Sequence, residues 1–396
     1  MNRKTIVTSL NGKRLKYVMF LSFIFLITLT AVESRFPMFL KNAYTMKDYD
    51  AFFVAGRMFW EDRLADAYYA ELLRVAQNQI LGSQDFMPWT YPPHFNLMTL
   101  TLGVFPIWLG YFIFTLTTLI IYVYILRKIS PYFFSIVLLF NFPAILICIR
   151  TGQNGFLFSA MLGFFILGLQ DGKVRSIIAL SIASIKPHFL ISIYLYLLMR
   201  RQCFVFFGSL VATTFILLVS TFLFGPEIWS AFLNSARESS NFLKEGYYPL
   251  YRMVSIYATL HTIGVPSRIA FIIQGALATA ALGMIFWAWQ KKWSRHQMLA
   301  VATMSSLFIS PYAYDYDLQI LGLALALLMS DLCKYSSGRQ LIFILISAWL
   351  STQSFFLSFI FGSGTIALNS LALLFICTYC LFIIRRGAAS ARRLSR

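Results

Sequence analysis

In the stretch KDYDAFFVAGRMFW, Asp48 and Asp50 flank Tyr49, and Arg57 follows one to two helical turns later. A carboxylate can take a proton from a hydroxyl, while a basic side chain can hold an anionic leaving group. Other polar residues recur near predicted outer ends of apolar segments. They are Tyr91 and His94; Arg150, Gln153 and Asn154; Lys186 and His188; Arg252; and Tyr314, Asp315 and Asp317. Carboxylates and cations converging on one cavity would suit activation of a hydroxyl beside a phosphate.

Each group also has a plainer reading. The Asp48-Tyr49-Asp50 spacing copies the DxD of nucleotide-sugar enzymes, but those donors are cytoplasmic and this motif is predicted outside. Its acids equally suit a solvated loop or a helix cap. Arg150 and Arg252 equally suit snorkelling to the membrane interface, and TGQNG at 151–155 suits a turn. His94 reads as a packed helix-start residue, and Asp315 and Asp317 as caps of the following helix. Lys186 is the hardest to explain this way, because of the segment that carries it.

The elements that would position these residues are membrane helices. Of 396 residues, 59% are hydrophobic, 12% are charged and 40 are Phe; the mean hydropathy is +0.71. These values lie far outside the soluble range. Segments 17–32, 107–126, 131–149, 156–169, 204–224, 269–289, 341–361 and 366–384 reach or approach the length needed to cross a bilayer. The expected fold is an all-α polytopic membrane protein of about twelve transmembrane helices. The first apolar run reads as a retained anchor rather than a cleaved signal.

Charge fixes the expected orientation. With both termini and the loops near 127–128, 171–175, 200–201, 291–295 and 331–339 placed inside, those pieces hold 21 of the 33 Lys and Arg but only Asp171 and Asp331 of the 15 acids. The inside carries +19 and the remainder −1, as the positive-inside rule demands. The basic residues are therefore topology signals, and nucleic acid is not an expected partner. Cys148, Cys203, Cys333, Cys377 and Cys380 fall in spans or inside, which implies no disulfide framework.

Two outer loops are long, 33–91 and 225–252. The first alternates apolar and charged residues in a pattern expected of amphipathic helices lying on the membrane surface. Trp60, Tyr68, Tyr69 and Trp89 suit the interface, and Pro92-Pro93 can open a helix that re-enters the apolar layer. The stretch VRSIIALSIASIKPHFLISIYLYLLMRR is basic at both ends with about 24 residues between, whereas two crossings want about 40. Two short helices meeting at Lys186-Pro187 beneath a water-filled cavity, with Lys186 and His188 at its floor, resolve the mismatch. No repeat or soluble domain is evident, so residues 1–396 read as a single membrane domain. No metal-ligand spacing, phosphate-cradling glycine loop or nucleophile elbow is present, and no cofactor is expected.

Five motifs in order, DYDAFFVAGRMF, WTYPPHFNLMTLTLGVFP, TGQNGFLFSAMLG, IKPHFLISIYLYLL and SPYAYDYDLQILGLAL, resemble glycosyltransferase family 87 from about Asp48 to Leu327. That resemblance implies a GT-C membrane fold, a catalytic acid in the first outer loop and a polyprenyl-phosphate-mannose donor entering from the bilayer. The family pattern begins with an acid eight residues before the glycine of AG; counting back from Gly56 gives Asp48, with Asp50 in reserve. Mannosyltransferases of this family carry tryptophan and histidine after the later Ser-Pro, where this chain has Tyr314, Asp315, Tyr316 and Asp317. The departure leaves the acceptor and the sugar open.

The expectation is a transferase of a bacterial inner membrane, multi-pass, with its site facing the periplasm. It would move a hexose from a polyprenyl-phosphate donor to a lipid or glycan acceptor. Asp48 would be the base, Lys186, Arg57, Arg150, Arg252 and His188 the phosphate cradle, and Tyr91, His94, Gln153, Asn154, Tyr314, Asp315 and Asp317 the substrate contacts. The rivals are a lipid or glycan transporter or flippase, which predicts inverted repeats, and a non-catalytic membrane scaffold.

Overall fold

The computed structural model describes residues 13–35, 46–362 and 366–394. Among these residues there are helices and turns, with one isolated bridge, Met253 to Tyr314, in place of any strand. Helix α1 spans Lys13–Arg35. The chain from residue 46 then forms α2 (Asp48–Trp60), a 3-10 turn (Leu64–Tyr68) and α3 (Ala70–Leu81), and beyond the expected loop 33–91 a second 3-10 turn (Pro93–Phe95) and α4 (Asn96–Leu102). Residues 36–45 of that loop lie outside the described residues.

The central helices are α5 (Ile107–Ile129), α6 (Phe134–Thr151), α7 (Gly155–Asp171), α8 (Lys173–Ala183), α9 (Pro187–Met199) and α10 (Cys203–Phe224). After the second outer segment, which is mostly helix α11 (Glu227–Lys244), come α12 (Ile256–Thr262), α13 (Ser267–Gln290) and α14 (Arg295–Ile309). The chain finishes with α15 (Gln319–Tyr335), α16 (Gly338–Leu350), α17 (Gln353–Phe361) and α18 (Asn369–Leu394).

Six described segments are long and apolar enough to cross a membrane: Ile107–Ile129, Phe134–Thr151, Cys203–Phe224, Ser267–Gln290, Asp315–Tyr335 and Asn369–Arg386. Their outward residues are apolar and bare. On α10, Val211, Phe215 and Phe222 are all exposed, as a helix facing lipid rather than water requires. This is an all-helical polytopic membrane protein. The count differs from the expected twelve partly because apolar stretches break. Segment 341–361 divides into α16 and α17, where the hydroxyls of Ser351 and Thr352 donate to the carbonyls of Ala348 and Trp349 and close off α16.

The break expected at Lys186-Pro187 is present. Helices α8 and α9 have 11 and 13 residues, roughly 17 and 20 Å at 1.5 Å per residue, and each falls short of a bilayer's ~30 Å apolar core. Pro187 opens α9 and cannot donate a backbone hydrogen bond, so the chain turns through Ser184–Lys186 at little cost.

One expectation about the stretch 33–91 needs correction. Helix α2 is not a surface helix: Tyr49 through Gly56 and Met58 are buried, leaving Arg57 and Trp60 exposed. It presses on α4, where a Cβ on Gly56 would meet the carbonyl oxygen of Thr99 at 2.1 Å, so only glycine allows the approach. Helix α3 does fit the amphipathic reading, with Leu73 and Ala76 inward and Leu72 and Val75 outward. The stretch 225–252 is mostly helix. Helix α11 buries Ile228, Ala231, Ser235, Ser239 and Leu243 at three- and four-residue steps. Ser235 donates to the carbonyl of Trp89 at 2.6 Å, and Phe232 meets Tyr68 edge-on at 6.0 Å. The second outer segment thus roofs the first.

Candidate active site

Beneath that roof lies a cavity of about 430 Å³, within the ~300–1,000 Å³ usual for small-molecule sites. Asp48, Tyr91, Gln153, Lys186, His188, Arg252, Tyr314 and Asp317 line it, together with a wall that includes Phe52, Trp89, Phe232 and Tyr248. The structure brings these eight expected residues together from separate parts of the chain. Asp50, Arg57, His94, Arg150, Asn154 and Asp315 do not line the cavity.

Two Asp-Tyr-Asp turns organise its charges in the same way. In each, the second acid caps the backbone three residues back and holds a cation. Asp50 accepts from the N–H of Lys47 at 2.6 Å and pairs with Arg35 at 2.6 Å. Asp317 accepts from the N–H of Tyr314 at 3.1 Å and pairs with Lys186 at 2.6 Å. The first acids, Asp48 and Asp315, both face Arg252. An N3 carboxylate accepting from the N-cap N–H explains why the turns form, and it leaves Asp50, wholly buried, committed to structure.

Arg252 lies in the short turn Leu250–Arg252. It is tied to the second Asp-Tyr-Asp turn by the Met253–Tyr314 bridge and by the N–H of Val254 donating to Ala313 at 2.8 Å. Its guanidinium donates to Asp315 through Nε at 3.3 Å and Nη2 at 3.1 Å, and to Asp48 through Nη1 and Nη2 at 3.4–3.5 Å. Burial opposes its charge, but Asp315 and Asp48 outweigh that and hold it charged well above its ordinary range. Tyr316 lies between the two cations, 5.0 Å from the Lys186 ammonium and 5.6 Å from the Arg252 guanidinium. A Cβ on Gly155 would meet the Tyr316 carbonyl oxygen at 2.1 Å, so the TGQNG turn is what lets this segment seat on α7.

Tyr91 donates to Gln153 Oε1 at 3.0 Å. Burial, with Asp317 and Asp48 nearby, pushes its phenol well above the ordinary range, so it remains a donor. Asn154 is wholly buried beside Gln153, and its side-chain amide finds no partner among the described residues. Arg57 is exposed on α2, and Arg150 pairs with Glu33; neither belongs to the cavity's charge set. Asp315 is fully buried against Arg252 and does not line the cavity.

His94 acts on the helix break. Its Nε2 lies 3.1 Å from the Ser184 hydroxyl, which already donates to Ser181 at 2.6 Å and so accepts from the imidazole. Burial lowers His94 to about 4, and a bond to Ser184 offsets only part of this. The folded protein therefore binds fewer protons than the unfolded chain between pH ~6.5 and ~4, and stability falls as pH drops through that window, by up to about 3 kcal/mol. The unfolding temperature is expected to fall between pH 7 and pH 5, and to fall less in His94→Gln; equal slopes would remove His94 as the cause.

Sequence reasoning missed the aromatic wall. Trp89, Tyr248 and Tyr312 line the cavity, and the signal available was the tyrosine-dense YYPLY and SPYAY stretches flanking Arg252 and Asp315. Among the described residues no three His, Cys, Asp or Glu are grouped to hold a metal ion; each cavity carboxylate is turned toward a basic side chain.

A family model for glycosyltransferase family 87 matches residues 89–311, more than half of the chain. The chain belongs to glycosyltransferase family 87. This glycosyltransferase therefore moves a sugar from a donor to an acceptor, and the match covers the Lys186 break, the TGQNG turn and Arg252. Among curated proteins and solved structures, nothing matches.

Proposed function

We propose that this family 87 glycosyltransferase has the GT-C fold and works at the periplasmic face of a bacterial inner membrane. In this reading it transfers a hexose, with mannose the expected sugar, from a polyprenyl-phosphate donor to a hydroxyl of a lipid or glycan. One observation carries the reading: a carboxylate, Asp48, paired with Arg252, and a second buried cation, Lys186, line one pocket walled by aromatic rings. Asp48 accepts the acceptor's proton as its oxygen attacks the anomeric carbon, and the bond to phosphate breaks with its electron pair on the phosphate oxygen. A single displacement inverts the centre, so a beta-linked donor gives an alpha product. Lys186 and Arg252 hold the departing phosphate by charge-assisted bonds, and the rings offer flat apolar faces to the pyranose.

The test is incubation of purified protein with radiolabelled prenyl-phosphate hexoses and membrane lipids. Label in a new glycosidic product is expected. A flippase moves label across the bilayer without making that bond, and such a result would overturn the reading.

A further inference from the structure

The ion pairs of the cavity differ in a way that assigns them different jobs. Lys186 and Asp317 are 2.6 Å apart. Asp315 grips Arg252 side-on, through Nε and Nη2, from a fully buried position away from the cavity. Asp48 meets the remaining Nη1–Nη2 edge at 3.4–3.5 Å from inside the cavity. That contact is the longest of the three, and its carboxylate alone can leave without stranding a buried charge. Apart from His188, the basic residues lining the cavity are Lys186 and Arg252, and three carboxylates already share them. An incoming phosphate diester must therefore take a cation from a carboxylate.

We propose that the donor phosphate displaces Asp48 from the outer edge of Arg252, so that the base is released only when the donor is in place. This rests on the prenyl-phosphate reading above. Asp315 is then a positioning residue: its two-point grip keeps the guanidinium edge directed at the cavity whether Asp48 or phosphate occupies it. Once freed, Asp48 takes the acceptor hydroxyl's proton, the new oxygen–C1 bond forms, and the C1–oxygen bond to phosphate breaks with its electrons on the oxygen facing Arg252. Binding is ordered, donor before acceptor.

The probe is methyl farnesyl phosphate, a diester with one charge that does not itself titrate near neutrality, with farnesol as the neutral control. Calorimetry on the full-length protein in nanodiscs reads the affinity. The wild type is expected to bind the diester over farnesol. Asp48→Asn is expected to bind the diester about tenfold tighter, as loss of an ordinary competing ion pair allows. Asp315→Asn is expected to bind about tenfold more weakly. Diester binding by the wild type that Asp48→Asn leaves unchanged or weakens overturns the exchange and leaves the donor reading standing. Equal affinity for diester and farnesol overturns the donor reading, and the exchange with it.

Discussion

Replacing Asp48 by Asn is expected to lower sugar transfer by about 10²–10⁴-fold, the range for loss of a positioned general base, while the unfolding temperature stays near that of the wild type. Two observations set the direction. Asp48 lines the cavity, and its pairing with Arg252 is long, so little stability is lost with the charge. Asp50 provides the contrast: its oxygens are bound to Arg35 and to the Lys47 N–H in the interior. The effect of Asp50→Asn is therefore expected in the unfolding temperature first. Transfer from a labelled donor, measured beside thermal unfolding, separates the two acids. Turnover near normal in Asp48→Asn removes it from the role of base.

The second large effect belongs to Lys186 and Asp317. Lys186→Met strands a carboxylate that is only 2% exposed, and breaking a buried pair in this way costs about 3–5 kcal/mol. The double variant Lys186→Met, Asp317→Asn carries no stranded charge and is expected to regain most of that stability. It is not expected to regain activity, because a cation facing the leaving phosphate is worth about 10²–10³ in rate. Recovery of both stability and transfer would make the pair purely structural.

These two residues also show what could be read from the chain alone. Lys186 was legible because length decides it: about 24 residues between basic ends cannot cross twice, and proline fixes where the break falls. Asp48 was picked out through the resemblance to family 87, by counting back from Gly56, since on spacing alone its acid equally suits a cap or a solvated loop; the structure places it on the cavity. The division of labour within each Asp-Tyr-Asp turn was not legible. The acid that lines the cavity is Asp48 in the first turn and the capping Asp317 in the second, and the arrangement depends on Arg35, Arg252 and Lys186, whose approach is set by tertiary packing across 15, 204 and 131 residues. Arg57 and Arg150 carried the same composition signal as Arg252 yet point elsewhere, since sequence spacing does not say which side of a helix faces the cavity. Helix α11 was hidden by its polarity: its buried stripe is narrow, and three of its five residues are Ser or Ala.

The reach of these ion pairs has a consequence for how the chain is made. Lys186 waits for a partner 131 residues downstream, and Asp48 meets Arg252 only after 204 more have been added. During synthesis each charge enters the bilayer region before its counterpart exists. Early helices must then be harboured by the insertion machinery, or by water, until the last third of the chain arrives. Severing the polypeptide after α10 therefore leaves an amino-terminal piece whose ionised interior is quenched only by supplying the carboxy-terminal piece in the same cell.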